Sequence, residues 1–486
     1  MTNARAKIAR ICRRLAVLVL PLLALMTLAL LTHSAPELAS AADAGSDAAA
    51  TQPDLAYGFP VLGRVTVFRP TSAPRALVVL LSDAAGWTPG DRVFARRLTA
   101  EGALVTGIST PDFLRALSNQ TRCINPNYAI ITLARDIQHK LDVPMYLKPV
   151  LLGRGLGGTL AYATLAAGPD GAYRAAITSG IHAFLPGRGH WCKSGVLALK
   201  TRPYPHAGWW IAPAAHLPSP WIVVTARGSP TLPRAFPRRV DGTRILALPT
   251  RADQDRQLAA QVVPYLTPLQ APVPRGAAPL PAGLPLTIVA DPASPRTDRM
   301  AVIFSGDGGW VGLDKGVAGE LAKAGIPVVG VDSLSYFWSE RTPAGAAADL
   351  AAIIRGYSAY WHRPRILLIG YSFGADVLPH IVGHLAPPVR SQVQGMALLG
   401  LSATADFQFH LGSWLNIGST GAYPTVPAIA RLPGLPMLCV RGNRESDSAC
   451  PQIPRGMAAV VTVPGGHHFD RNAPLLVRQI LTRLPR

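Results

Sequence analysis

A serine sits between two glycines in the pentapeptide Gly370-Tyr371-Ser372-Phe373-Gly374, after the aliphatic run "RILLI" and before a helical pattern. A tight strand-to-helix turn of this kind lifts the serine hydroxyl clear of the backbone, and the helix N-terminus below it favours negative charge. A hydroxyl attacks poorly near neutral pH unless a base takes its proton and an acid orients that base. Two histidines, His467 and His468, follow the last strand-like run in "VTVPGGHHFD", and two carboxylates, Glu445 and Asp447, follow the preceding run in "CVRGNRESDSAC". This order, serine then acid then histidine, is one in which such triads occur. His467, directly after the glycines, is the expected base. Asp447 is the expected acid, with Glu445 as the alternative. The loop "FSGDGGW" (304–310) follows an earlier strand-like run and can supply an oxyanion hole, pairing the backbone N–H of Phe373 with that of Asp307 or Gly308. It lacks both the lysine of a phosphate loop and the spacing of a dinucleotide fingerprint, so no cofactor is expected. No Cys-x-x-Cys spacing points to a metal.

These residues need a scaffold, and the sequence describes one. From 284 to 486 short apolar runs alternate with helical patterns: "MAVIFSG", "IPVVGVDS", "RILLIGYS", "VQGMALLGLS", "MLCVRGN" and "AAVVTVPGG", with helix-like segments such as 343–356 and 374–386. Such alternation predicts a mostly parallel sheet covered by helices on both faces. The stretch 55–265 repeats the plan. "ALVVLLSDAAGW" (76–87) parallels "MAVIFSGDGGW" (300–310), "LLGRGLGGTL" parallels "LLIGYSFGADVL", and "WIVVTARGSPT" parallels "MLCVRGNRESD". Three matches in one order indicate duplication. A Pro/Ala-rich linker at 266–283 separates the copies.

Only the second copy is armed. Gly155 stands where the second has Ser372, "TARGSPT" has no carboxylate to match "VRGNRESD", and Ala252 falls opposite His467. The first copy is therefore expected to be non-catalytic, either binding or positioning something or serving only to support the fold.

The N-terminus carries Arg5, Lys7, Arg10, Arg13 and Arg14, then an apolar run to Leu31, then Ala39-Ser40-Ala41. That sequence of features predicts a secretory signal peptide over 1–41 and export to the periplasm. Apart from Cys12 in that segment, the cysteines are Cys123, Cys192, Cys439 and Cys450, one pair per half. In an oxidising compartment they are expected to pair as Cys123–Cys192 and Cys439–Cys450. The formal charge of +20 suits an anionic membrane surface. The basic residues are scattered rather than blocked, and no direct nucleic-acid binding is expected.

"FSGDGGW", "VDSLSYFWSERTP", "GYSFGADVLP", "ESDSACP" and "PGGHHFD" together resemble the VirJ/AcvB family of bacterial virulence proteins, and the two-copy layout is similar to its longer AcvB type. The resemblance implies two tandem α/β-hydrolase-like domains behind a signal peptide, with the N-terminal copy degenerate. For the AcvB type it implies hydrolysis of lysyl-phosphatidylglycerol to lysine and phosphatidylglycerol, so that the partner is an aminoacylated phospholipid in an anionic membrane. VirJ-like proteins are also associated with type IV secretion, an alternative role as a binding or export factor. A serine esterase or thioesterase of other specificity is a further alternative. A cationic lysyl head calls for a nearby carboxylate, and Glu340, Asp376 and Asp406 are the candidates.

Overall fold

Aliphatic runs that are buried on both faces become the strands of two sheets. In the computed structural model, residues 53–120, 123–192, 199–203, 207–226, 235–250, 254–266, 283–409 and 422–485 are described. The expected signal peptide at 1–41, Ala252, and nearly all of the expected linker lie outside them. The first copy contributes β1 (Leu55–Phe59), β2 (Gly63–Phe68), β3 (Ala76–Leu81), β4 (Ala103–Ile108), β5 (Pro149–Arg154) and β6 (Ala175–Ser179). It continues with β7 (Phe184–Pro186), β8 (Lys200–Pro203), β9 (Gly208–Ala212), β10 (Trp221–Ala226) and β11 (Arg244–Leu248). Its main sheet runs β1-β2-β4-β3-β5-β6-β10-β11, and β7-β9-β8 form a small antiparallel sheet that the periodicity did not announce. Within the main sheet, β2 is antiparallel to both neighbours and the pairs from β4 to β11 are parallel.

The second copy repeats this order with one outer strand fewer. Its strands are β12 (Leu286–Val289), β13 (Arg299–Phe304), β14 (Val328–Val331), β15 (Arg365–Tyr371), β16 (Val393–Leu399), the short pair β17 (Thr404–Ala405) and β18 (Tyr423–Pro424), β19 (Met437–Gly442) and β20 (Ala459–Val463). The sheet order is β12-β14-β13-β15-β16-β19-β20, parallel except where β12 meets β14. All six apolar runs read from the sequence are strands here. Both copies are α/β-hydrolase-like: a mostly parallel sheet, an antiparallel strand at the same place, and helices on both faces.

Packing details repeat as well. Trp87 lies over Gly107 of β4 and Trp310 over Gly330 of β14, and a Cβ on either glycine would meet its indole at 2.2 and 2.3 Å. Gly153 and Gly370 let the following helix approach the strand: a Cβ there would come within 2.3 Å of the Gly157 carbonyl oxygen or 2.4 Å of the Gly374 one. The Gly-x-x-x-Gly spacing is thus a close-packing requirement in both copies.

Residues Leu55–Arg486 form one compact unit. The copies meet through the segment after β14. Tyr146, Leu334, Trp338 and Phe409 make a small buried cluster across the junction. The Trp338 indole N–H donates to the Val143 carbonyl at 2.8 Å, and its ring stacks on His139 at 3.8 Å. Lys148 pairs with Asp332 at 2.8 Å, both largely buried. Among the described residues no helix is long and apolar enough to cross a membrane.

Candidate active site

β15 ends at Tyr371, and Ser372 opens the helix Phe373–Gly383. Ser372 has φ 51° and ψ −121°, a conformation that L-residues avoid and that aims its side chain away from both elements. The His467 Nε2 lies 2.8 Å from the Ser372 Oγ, and the His467 Nδ1 lies 2.6 Å from the Glu445 Oε1. With the proton on Nδ1, the imidazole donates to Glu445 and accepts from Ser372, the tautomer a general base needs. Glu445 raises the pKa of His467 above the ordinary imidazole value through this hydrogen bond, against the opposing effect of burial. Burial pushes the Glu445 pKa up, but hydrogen bonds from His467 and the Gly442 N–H outweigh it, leaving the carboxyl below its usual value.

The expected acid, Asp447, is not the one that meets the histidine. A turn brings the Glu445 N–H to the Gly442 carbonyl at 3.2 Å and folds the side chain back, so that its Oε2 accepts from the Gly442 N–H at 3.0 Å. Glu445 is 7% exposed, whereas Asp447, two residues further along, faces solvent. His468 also points elsewhere, with its Nδ1 2.5 Å from the Tyr371 hydroxyl. Cys439 and Cys450 form a disulfide that ties β19 to the far end of the acid loop, and Cys123 and Cys192 form the other.

The first copy shows which backbone N–H groups converge at this turn. Gly155 has φ 53° and ψ −117°, the same backbone turn as Ser372 with the side chain deleted. Into the space beside it points Asp83, whose Oδ1 accepts from the Ala84 N–H at 2.7 Å and the Leu156 N–H at 2.8 Å. Ala84 and Leu156 correspond to Asp307 and Phe373. The two N–H groups that converge on one anionic oxygen in the first copy are therefore the expected pair in the second, which selects Asp307 over Gly308. The residue matching Asp83 is Gly306, so in the second copy no side chain occupies that place.

Residues 298–486 match the family described as bacterial virulence protein (VirJ). No curated protein matches the chain. Solved structures similar to it include the esterase domain of a Rhodothermus marinus protein, at 11% identity and TM-score 0.28, covering 43% of this chain and 95% of that one. Est1E from Butyrivibrio proteoclasticus gives 14% and 0.30, covering 42% and 96%. The thioesterase domain from the curacin biosynthetic pathway gives 18% and 0.28, covering 40% and 94%. The strand order and the turn at Ser372 carry the fold assignment independently of these likenesses.

A cavity of about 350 Å³ opens beside Ser372 and His467. Ser372, His467, Tyr371 and the loop 306–309 line one side, and Tyr146, Lys148 and residues 169–172 of the first copy line the other. Glu340, Asp376 and Asp406 are not among the lining residues. Glu340 is exposed. Asp376 is a buried residue of the helix Phe373–Gly383 itself, where its Oδ1 accepts from the Ser402 N–H at 2.7 Å and burial pushes its pKa up to about 7. The carboxyls that do line the cavity are Asp170, Asp307 and Asp314. Sequence reasoning missed Asp170 and Asp314, because the first belongs to the other copy and the second sits at an ordinary helix start. The internal repeat held a usable signal, since Asp314 aligns with Asp91.

Proposed function

We propose that this chain is an exported serine hydrolase that cleaves the aminoacyl ester of lysyl-phosphatidylglycerol, releasing lysine and phosphatidylglycerol. The observation that carries the reading is the Ser372–His467–Glu445 relay beside paired backbone donors, at a cavity lined by both anionic and cationic side chains. In the first half-reaction the Ser372 Oγ attacks the ester carbonyl carbon while its proton passes to the His467 Nε2. The N–H groups of Phe373 and Asp307 hold the oxyanion. Collapse breaks the bond to the glycerol oxygen, which takes the proton from His467 and leaves as phosphatidylglycerol. Water, deprotonated by His467, then attacks the lysyl-enzyme and frees lysine. Glu445 keeps the imidazole oriented and stabilises its charged form throughout.

Two disulfides fit an oxidising compartment, which supports export to the periplasm. The basic chain fits work at an anionic leaflet. The test is lipid analysis of cells lacking the gene. Lysyl-phosphatidylglycerol is expected to accumulate and to return to normal with the intact gene but not with Ser372→Ala. Restoration by Ser372→Ala would favour the secretion-associated binding role, and an unchanged lipid profile with active purified enzyme would favour an esterase or thioesterase of other specificity.

A further inference from the structure

Asp314 is a buried carboxyl whose Oδ1 has no hydrogen-bond partner. It is 2% exposed, yet it lines the cavity over Ser372. It is the third residue of the helix Gly312–Lys323, where backbone N–H groups, that of Val311 foremost, face its carboxyl. That position accounts for an acidic residue at the helix start, but not for a buried oxygen left without a partner on a residue that lines the cavity. Burying an uncompensated carboxylate is costly.

The duplication supplies the comparison. Asp91 is the same residue of the same helix in the first copy, and its Oδ1 is paired with the Arg154 guanidinium, which Asp255 clamps from the other side at 2.9 Å. Arg154 is the residue just before Gly155. The residue just before Ser372 is Tyr371, which spends its hydroxyl on His468. One copy thus carries carboxylate and cation together, while the copy with the serine keeps the carboxylate and has dropped the cation. Of the other cations nearby, Lys148 is held by Asp332, Lys315 lies in the fields of Asp170 and Asp332, Arg135 lies over the Phe409 ring, and Arg471 sits beside Tyr371 and His468.

We propose that Asp314 is the substrate's amine subsite: an ammonium group of the aminoacyl chain takes the place that the Arg154 guanidinium fills in the first copy. This deepens the reaction proposed above and rests on it for its substrate class. The subsite makes the enzyme selective for amino-bearing acyl groups, because a plain acyl chain would leave the carboxyl uncompensated. Burial raises the Asp314 pKa well above the ordinary carboxyl value in the unliganded protein, so the charge is completed when the cation arrives.

Three p-nitrophenyl esters of one chain length test this: hexanoyl, 2-aminohexanoyl and lysyl. The unmodified protein is expected to favour the amino esters in kcat/KM. Asp314→Asn should cut that preference at least about tenfold, by a loss confined to the amino esters rather than shared by all three. Equal losses on all three esters, or an unchanged preference, overturn the subsite. Calorimetry with n-butylammonium on Ser372→Ala protein reads the site without catalysis and with Asp314 intact. Saturable binding that the added Asp314→Asn change removes is expected, and no binding to Ser372→Ala protein overturns the subsite while leaving the esterase reading standing. Binding by a protein that turns over none of the esters overturns the reaction and keeps the subsite.

Discussion

At the level of single residues the geometry divides two neighbouring carboxylates sharply. Glu445 touches His467 and Asp447 does not, so Glu445→Gln should lower kcat by about three to four orders of magnitude while Asp447→Asn stays within about twofold. A matched loss in both variants would mean the loop rearranges during turnover. The base must be neutral to accept the Ser372 proton, and Glu445 raises the pKa of His467 above 6.5. The acidic limb of the kcat/KM profile should therefore lie above that value, and should move to lower pH in the residual activity of Glu445→Gln. The sequence narrowed the acid to two residues and ranked them wrongly. What separates them is the turn from Gly442 to Glu445, a matter of backbone dihedrals and burial that neither residue's type reveals. Ser372 and His467 were legible because each stands at the carboxyl end of a strong aliphatic run, where the type of residue and its place agree.

The helix Phe373–Gly383 shows how an element can mislead a reading made from residue types. Asp376 is the one acidic residue in an apolar helix, and as a carboxylate near the serine it is a candidate partner for a cationic head. Its neighbours instead make it a satisfied core group, bonded to the Ser402 N–H. Its pKa is raised to about 7 in the folded chain, whereas an unfolded aspartate titrates near its ordinary 3.8. Below the unfolded value both states are protonated and nothing is lost. Between the two values the unfolded chain ionises first, so stability drains away as pH rises, and it levels off above the folded value. Asp376→Asn keeps an oxygen for Ser402 and removes the ionisation. Its melting temperature should match the parent near pH 4 and exceed it increasingly up to pH 7, a gap worth about 1.4 kcal/mol for each pH unit at most. A constant offset at all pH values would show that ionisation of Asp376 plays no part. The strands were legible because period and length leave little choice for runs such as "ALVVLL". The small sheet β7-β9-β8 was not: its strands are three to five residues long and mix Lys, Arg, Pro and Trp, too short and mixed for any period to register.

Over the whole molecule the duplication was readable from three aligned motifs, but the use made of it was not. In the first copy Asp83 takes up the two backbone N–H groups at this turn, and a Cβ at Gly155 would stand 2.1 Å from the Asp83 Oδ1. That site is closed from within, beyond the mere loss of a serine. The first copy instead contributes a wall to the cavity of the second, through ordinary residues such as Tyr146 and Lys148 that carry no motif. Trp338 tests this division of labour. It belongs to the second copy, outside the Ser372 turn, and anchors the first copy by stacking on His139 and bonding Val143. Trp338→Ala should cost about 3–5 kcal/mol of packing at the junction, because a buried indole leaves a large void. The triad is assembled entirely within the second copy, so its geometry should survive. On lysyl-phosphatidylglycerol vesicles the expected result is a KM raised about tenfold with kcat within about twofold, as for a lost binding wall. A fall in kcat at unchanged KM would instead place the influence of the first copy on the Ser372–His467–Glu445 relay itself.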